Sequence, residues 1–371
     1  MNMKHRELKM RSPFFALRLA LIPALLVAVG TADAGAYDRE ETLQKMLSLE
    51  GAKRVVIMNS RGDVRVIGEK GRKDVSCEFT KRVRGKNQEE ANRLFNLMDL
   101  EVKREGADLT ISARYPDTSS REGSILSYIR QHYAGLGIDI SLMVPSELNV
   151  KIITASGDAQ LASIVGSAEI VSASGNVEVT GVGRDLKIEV SSGDIVISGI
   201  SGKAFLSSAS GDIEAHQIKG DAGVQSASGD VMLSEIGGNL TAASASGDIT
   251  VEGVGAVVFS GTSGSAMFIG VRKGVKATVA TGDVEVSAAP GSSADYEIRT
   301  SSGQIELRFE KSLRNGFMLK AQTTSGDISV NLPIKVSKVG RHQLSGVVRE
   351  GKSVVVLETA SGDIIVSEPE E

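Results

Sequence analysis

Residues 193–210 read GDIVISGISGKAFLSSAS, residues 211–228 read GDIEAHQIKGDAGVQSAS and residues 229–246 read GDVMLSEIGGNLTAASAS. Each of these 18-residue units opens on Gly-Asp and closes on Ser-Ala-Ser. The column extends on both sides: Gly157, Gly175, Gly193, Gly211, Gly229 and Gly247 recur at one interval, and five of the six are followed by Asp. A fixed period of this length without helical spacing inside it marks a solenoid of stacked rungs.

Counted from its glycine, each unit carries apolar residues at offsets 2, 4, 7, 11 and 13: Ile195, Ile197, Ile200, Ala204 and Leu206, then Ile213, Ala215, Ile218, Ala222 and Val224. Alternation in each pair predicts two short strands per rung sharing one inward face, and offset 7 adds an inward side chain at the connection. A second glycine near offset 9 (Gly166, Gly202, Gly220, Gly238) is expected to turn the chain with positive φ. At the other corner, the small residue two before the repeat glycine is expected to face inward. Asp194, Asp212, Asp230 and Asp248 are expected there to bond backbone amides as in an Asx turn.

Beyond residue 247 the glycines continue as Gly264, Gly282, Gly303, Gly326 and Gly362, at intervals of 17, 18, 21, 23 and 36 residues. The growing interval reads as loops inserted between rungs. About eleven rungs at roughly 4.8 Å each would make a rod on the order of 50 Å long. A thin aliphatic core suits a chain with 4% aromatic residues, no Trp and 41 glycines. The fold class is therefore all-β: a single-chain parallel β-solenoid, or β-helix, of about 18-residue rungs, with an N-terminal α+β cap containing one helix.

The domain reading is a signal peptide at 1–34, the cap region at 37–150, the solenoid at 151–366 and an acidic tail at 367–371. Lys4, Arg6, Lys9, Arg11 and Arg18 precede an apolar run, LALIPALLVAV at 19–29, and Ala32-Asp33-Ala34 suits signal peptidase. That run is short for a membrane span and contains Pro23. No other apolar segment spans a membrane, so none is expected after cleavage. The leader holds five basic and two acidic side chains, so its removal takes the net charge from −4 to −7, a poor match to nucleic acid. In the cap, Asn59-Ser60-Arg61-Gly62-Asp63 is a degenerate version of the repeat corner. Asn87 with Glu90 predicts a capped helix whose inner face is Ala91, Leu94, Phe95 and Met98.

Cys77 is the single cysteine and reads as a buried thiol, which excludes an intramolecular disulfide and a cysteine-rich zinc site. The Asp column has two readings, turn capping and calcium binding; Asn176, Ser265 and Gln304 interrupt it, and no second acidic column keeps a fixed offset. The outward offset-3 residues, Gln160, Glu178, Val196, Glu214, Met232 and Thr250, form no paired carboxylates, and the Ser columns lack a base or a nucleophile elbow. No catalytic, cofactor-binding or metal-binding residues are assigned, and no cofactor is expected. The densest aromatic and cationic group, Tyr128, Arg130, His132 and Tyr133, lies in the insertion from Asp117 to Gly137. It reads either as a partner-binding patch or, through Ile125, Leu126 and Ile129, as a short helix covering the end of the solenoid.

The order of leader, Asn-Ser-Arg-Gly-Asp-Val, helix, a strand ending in Met143-Val144-Pro145 and repeated Ser-Gly-Asp-Ile/Val units resembles a bacterial family of adhesin-like β-strand-repeat domains of unknown function. It is similar in kind to the head domains of autotransporter adhesins, and the resemblance covers about residues 50–371. It implies a β-solenoid at the cell envelope, periplasmic or extracellular, with no enzymatic activity or functional residues to carry over; some relatives are linked to envelope-stress responses. The expected function is a non-catalytic adhesin-like binding or structural module whose partner is an envelope or surface component. The alternatives are a polysaccharide-acting enzyme and a scaffold that polymerises end to end.

Overall fold

The computed structural model describes residues 37–116, 135–289, 294–309, 316–349 and 351–368. Eighteen strands, β8 (Asn149–Thr154) through β25 (Ile305–Phe309), alternate between two long sheets, so each rung gives one strand to each sheet. Pairing is parallel and in register at the repeat period: Ile195 faces Ile213, which faces Val231, and in the other sheet Leu206 faces Val224, which faces Ala242. The offset pattern explains the core, since Ile195, Ile197, Ile200, Ala204 and Leu206 are all buried between the sheets. Phe79 and Phe95 are buried at the N-terminal end, and towards the C-terminal end Phe259 meets Phe268 edge-on at 5.6 Å and Phe309 stacks on Phe317 at 5.3 Å.

The repeat glycines Gly157 through Gly247 hold φ between 108° and 126°, a region costly for a residue with a Cβ. They are also crowded: a Cβ on Gly211 would lie 2.3 Å from the carbonyl oxygen of Gly193. The second glycines behave differently from expectation. Gly166, Gly202, Gly220 and Gly238 stay outside the left-handed region, and what requires them is close approach, with a Cβ on Gly220 falling 2.5 Å from the Gly202 carbonyl oxygen. The left-handed position of that edge is offset 6, occupied by Ser163, Gly181, Gly199, Gln217, Glu235, Gly253 and Gly270. The inward small residue is likewise shifted by one. Ser172, Ser208, Ser226 and Ser244, three before the glycine, are buried, and Ala209 and Ala227 face out.

Among the described residues thirteen rungs form, two more than the period suggests: every pairing in the 15-stranded sheet is parallel except those made by β4 (Asp74–Gly85), which joins β7 (Gly137–Pro145) and the outermost β1 (Tyr37–Ser48) in antiparallel fashion. Residues assigned to the cap supply two of these rungs. Strands β2 (Arg54–Asn59) and β3 (Val64–Glu69) lie parallel against β8 and β9 (Ala159–Ile164). Outside them lie β6 (Asp108–Arg114) and β7 (Gly137–Pro145). The end is closed by β4 and β1 on one sheet, by the antiparallel β5 (Asp99–Glu105) on the other, and by α1 (Gln88–Leu97). Asn87 Oδ1 accepts from Glu90 N at 2.9 Å, and Ala91, Leu94, Phe95 and Met98 are buried, as the capping pair predicts.

At the C-terminal end the glycine order in space differs from the order in sequence. Strands β30 (Ser353–Ser361) and β31 (Ile364–Ser367) pack directly on β24 (Tyr296–Ser302) and β25. The earlier β26 (Phe317–Gln322) and β27 (Ile328–Asn331) lie beyond them. Gly362 therefore sits between Gly303 and Gly326. The 36-residue interval is a detour through a hairpin, β28 (Ile334–Gly340) and β29 (Gln343–Val348), that caps one sheet. The same out-and-back path occurs at the N-terminal end, where β6 and β7 fit between β2/β3 and the closing strands.

Candidate functional site

The repeat corner is tied together by its Asx side chains. Asp212 N donates to Asp194 Oδ1 at 2.9 Å, Asp230 N to Asp212 Oδ1 at 2.8 Å and Asp248 N to Asp230 Oδ1 at 2.9 Å. Asn176 does the same work, donating to Asp158 Oδ1 at 2.8 Å and accepting from Asp194 N at 3.0 Å. These bonds run from rung to rung, so the column is an inter-rung ladder instead of a set of Asx turns. Its requirement is an acceptor oxygen, which Asn meets as well as Asp. Among the described residues no group of three or more His, Cys, Asp or Glu is placed to hold a metal ion.

A second ladder lies on the opposite edge. Asp185 Oδ1 accepts from Lys203 N at 2.9 Å, Asp221 Oδ1 from Asn239 N at 3.1 Å and Asn239 Oδ1 from Ala256 N at 3.0 Å. Its sequence signal is weak, because Ser167 and Lys203 take alternate places in the column. The Asn239 bond holds the Asp221 carboxyl below its ordinary range, assisted by Lys203, and the bond to Asp221 raises the Lys203 ammonium.

Tyr128, Arg130, His132 and Tyr133 lie outside the described residues, as does the leader. The base from which their segment departs is well defined. Tyr115 Oη donates to Asn59 Oδ1 at 2.8 Å, contacts the Arg61 carbonyl and accepts from Ile138 N at 3.2 Å. The buried Asn59 amide donates to the carbonyls of Gly62 and Ile138 at 2.9 and 2.8 Å. Burial pushes the Tyr115 phenol up to about 12, so it remains a donor. Tyr115 and Ile138, on either side of residues 117–134 in the sequence, thus meet at one corner of the end rungs.

Other titratable groups include a surface ion-pair network, Lys276–Glu297–Arg299–Glu358–Lys320, and a few buried groups. Burial pushes the Cys77 thiol up to about 12. Lys81 is buried beneath α1, donates to the carbonyls of Phe95 and Met98 at 3.4 and 3.1 Å and is lowered by desolvation. One juxtaposition was invisible at motif spacing: His216 Nδ1 lies 2.6 Å from Ser234 Oγ on the next rung. Glu235 Oε1 is 3.9 Å from Nε2, beyond hydrogen-bond distance. The trio stands on the outer face of the glycine-corner sheet.

Shallow grooves cross the outer surface of the described residues. One of about 700 Å³ follows the small residues Ser191, Ala209, Ala227 and Ala245, and one of about 580 Å³ passes over Gly68, Gly181, Gly183 and Gly199 beside Val165. Another, about 710 Å³, lies on the outer face of the 16-stranded sheet around Phe205, bounded by Glu169, Lys187, Asp185, Lys203, Asp221 and Thr241.

Continuous parallel sheets, glycine corners and closed ends define a non-globular repeat protein of the β-solenoid class. Residues 52–256 and 203–367 both match the family described as Toastrack DUF4097, and the chain belongs to that family. No curated protein matches the chain. Among solved structures it is similar to a candidate adhesin from Bacteroides fragilis at 11% identity and a TM-score of 0.35, covering 89% of this chain and 97% of that one. It is also similar to a candidate adhesin from Parabacteroides distasonis at 13% identity and a TM-score of 0.38, covering 72% of this chain and 97% of that one.

Proposed function

We propose that the protein is an exported, non-catalytic binding or structural module of the cell envelope. The observation that carries this reading is the corner at Tyr115 and Asn59: the residues that flank an insertion rich in Tyr and Arg are hydrogen-bonded into the end of a solenoid. Loops on rigid scaffolds are common sites of recognition, and Tyr and Arg are favoured at binding hot spots. The structural use of the carboxylates in the two ladders supports a role without catalysis. The basic-apolar leader supports export to the periplasm or the cell surface.

Two measurements test the reading. A fusion of residues 1–40 to a leaderless alkaline phosphatase should be exported and active, and a fusion of residues 37–60 should not. The triple variant Tyr128→Ala, Arg130→Ala, Tyr133→Ala should keep the melting temperature of the parent and lose association with isolated envelopes. Normal association would move recognition to the repeat faces, and unfolding would make the segment a cap.

A further inference from the structure

We propose that the outer face around Phe205 is a glycan-binding site that takes a pyranose unit of an oligosaccharide. The site is separate from the 117–134 segment and adds a ligand class to the binding role inferred above.

Phe79, Phe95, Phe259, Phe268, Phe309 and Phe317 are buried, whereas Phe205 is partly exposed. Its place on β14 (Ala204–Ser208) between the inward Ala204 and Leu206 turns it outward. The register sets Lys187 on one side of it and Gly223 on the other, with Thr241 one strand further. A Cβ on Gly223 would lie 3.0 Å from Phe205 Cδ2, so the ring leans across the gap that the glycine leaves. A polar rim is already held in place. Lys203 Nζ lies 3.0 Å from Asp221 Oδ2, Lys187 Nζ lies 2.9 Å from Glu189 Oε1, and Asp185 and Asp221 are fixed by the ladder bonds from the next rungs.

One phenyl face inside a ring of charged groups selects a ligand with an apolar face and a polar edge. A pyranose presents C–H bonds on its face, which meet the electron-rich π surface, and hydroxyls around its edge, which need fixed donors and acceptors. An acyl chain would strip water from Lys187, Lys203, Asp185 and Asp221 without replacing it. A polyanion would be repelled by Glu169, Asp185, Glu189 and Asp221. Covering of the Gly223 backbone by the ring explains the Phe-Gly pair but not the preset rim.

The test is binding of the mature chain to a printed panel of neutral hexose and N-acetylhexosamine oligosaccharides, with uronic acid and octanoate-bearing spots for comparison. Wild type should bind at least one pyranose class. Phe205→Ala should weaken that binding roughly tenfold or more, Phe205→Tyr should retain it, and Met232→Ala on the opposite sheet should leave it unchanged. Lys203→Ala with Asp221→Ala, on the exposed rim, should also lose binding and decides the matter if Phe205→Ala misfolds. No neutral pyranose signal from wild type, wild-type signals from both Phe205→Ala and the rim variant, or binding confined to the uronic acid or octanoate spots overturns the proposal. Isolated glycans are read here and intact envelopes above, so envelope association without glycan binding would sink this site alone.

Discussion

The two sets of glycines differ from the left-handed offset-6 column in what they tolerate. Gly211 has both a φ of 119° and a neighbouring carbonyl oxygen 2.3 Å from its would-be Cβ, so Gly211→Ala should cost more than ~3 kcal/mol. Gly199 has a φ of 72° but its nearest atoms lie at 3.6 Å, so Gly199→Ala should cost only about 1–2 kcal/mol. Gln217 already carries a side chain in the same column at φ 58°, and Gln217→Gly should stabilise by about 0.5–1 kcal/mol. Urea melts of the three variants give the order; an equal loss for Gly199→Ala and Gly211→Ala would show that strain, not contact, governs the corner. The ladder makes a second residue-scale prediction. Asp212→Ala leaves the Asp230 N–H without its acceptor and should cost about 1–2 kcal/mol, while Asp212→Asn should be nearly neutral, since Asn176 holds that place two rungs away. Chelator should leave the melting curve of either protein unchanged. A drop of several degrees reversed by calcium would instead make the carboxylates metal ligands.

At the scale of the strand, alternation decides the outcome of neighbouring substitutions. Ile213 is buried between the sheets and Glu214, beside it, faces solvent. Ile213→Asp should cost at least ~4 kcal/mol by burying an unpaired charge, and Glu214→Gln should fall within about 0.5 kcal/mol of the parent. Similar melting temperatures for the two would reverse the inward and outward assignment. The same alternation is why strands, rung length and the inner columns were legible in the sequence: each inward residue recurs at a fixed offset. The corners were less legible because two glycines of one type answer different demands, φ at Gly193 and close approach at Gly202, and composition does not separate them. The His216–Ser234 contact and the Phe205–Gly223 pair were hidden for another reason. They join residues one full rung apart, and become neighbours only after the register is known.

The whole molecule is a stack with dissimilar ends, and its end topology sets how far the sequence could be read. A ladder that follows chain order predicts Gly326 before Gly362; β30 and β31 reverse them by filling the rung between β24/β25 and β26/β27. Nothing in local periodicity records that exchange, because both rungs carry the same Ser-Gly-Asp-Ile motif. Removal of residues 351–371 should therefore act in the interior of the stack. Unpaired edges on β24, β25, β26 and β27 would result, and edges of that kind invite association between chains. Sedimentation of the truncated protein should show oligomers, and limited proteolysis should cleave between 310 and 350. A monomer resistant to protease would contradict the strand order.

The late arrival of β30 and β31 also imposes a schedule on the nascent chain. Strands that precede them in synthesis must leave a slot one rung wide and wait for it to be filled, so the C-terminal quarter cannot zip up progressively as the regular repeats can. Residues 353–367 act as the keystone of that quarter. Pulse-labelling hydrogen exchange during refolding should find the amides of β24, β26 and β30 protected together and last, after those of β9 to β19 (Ile249–Glu252).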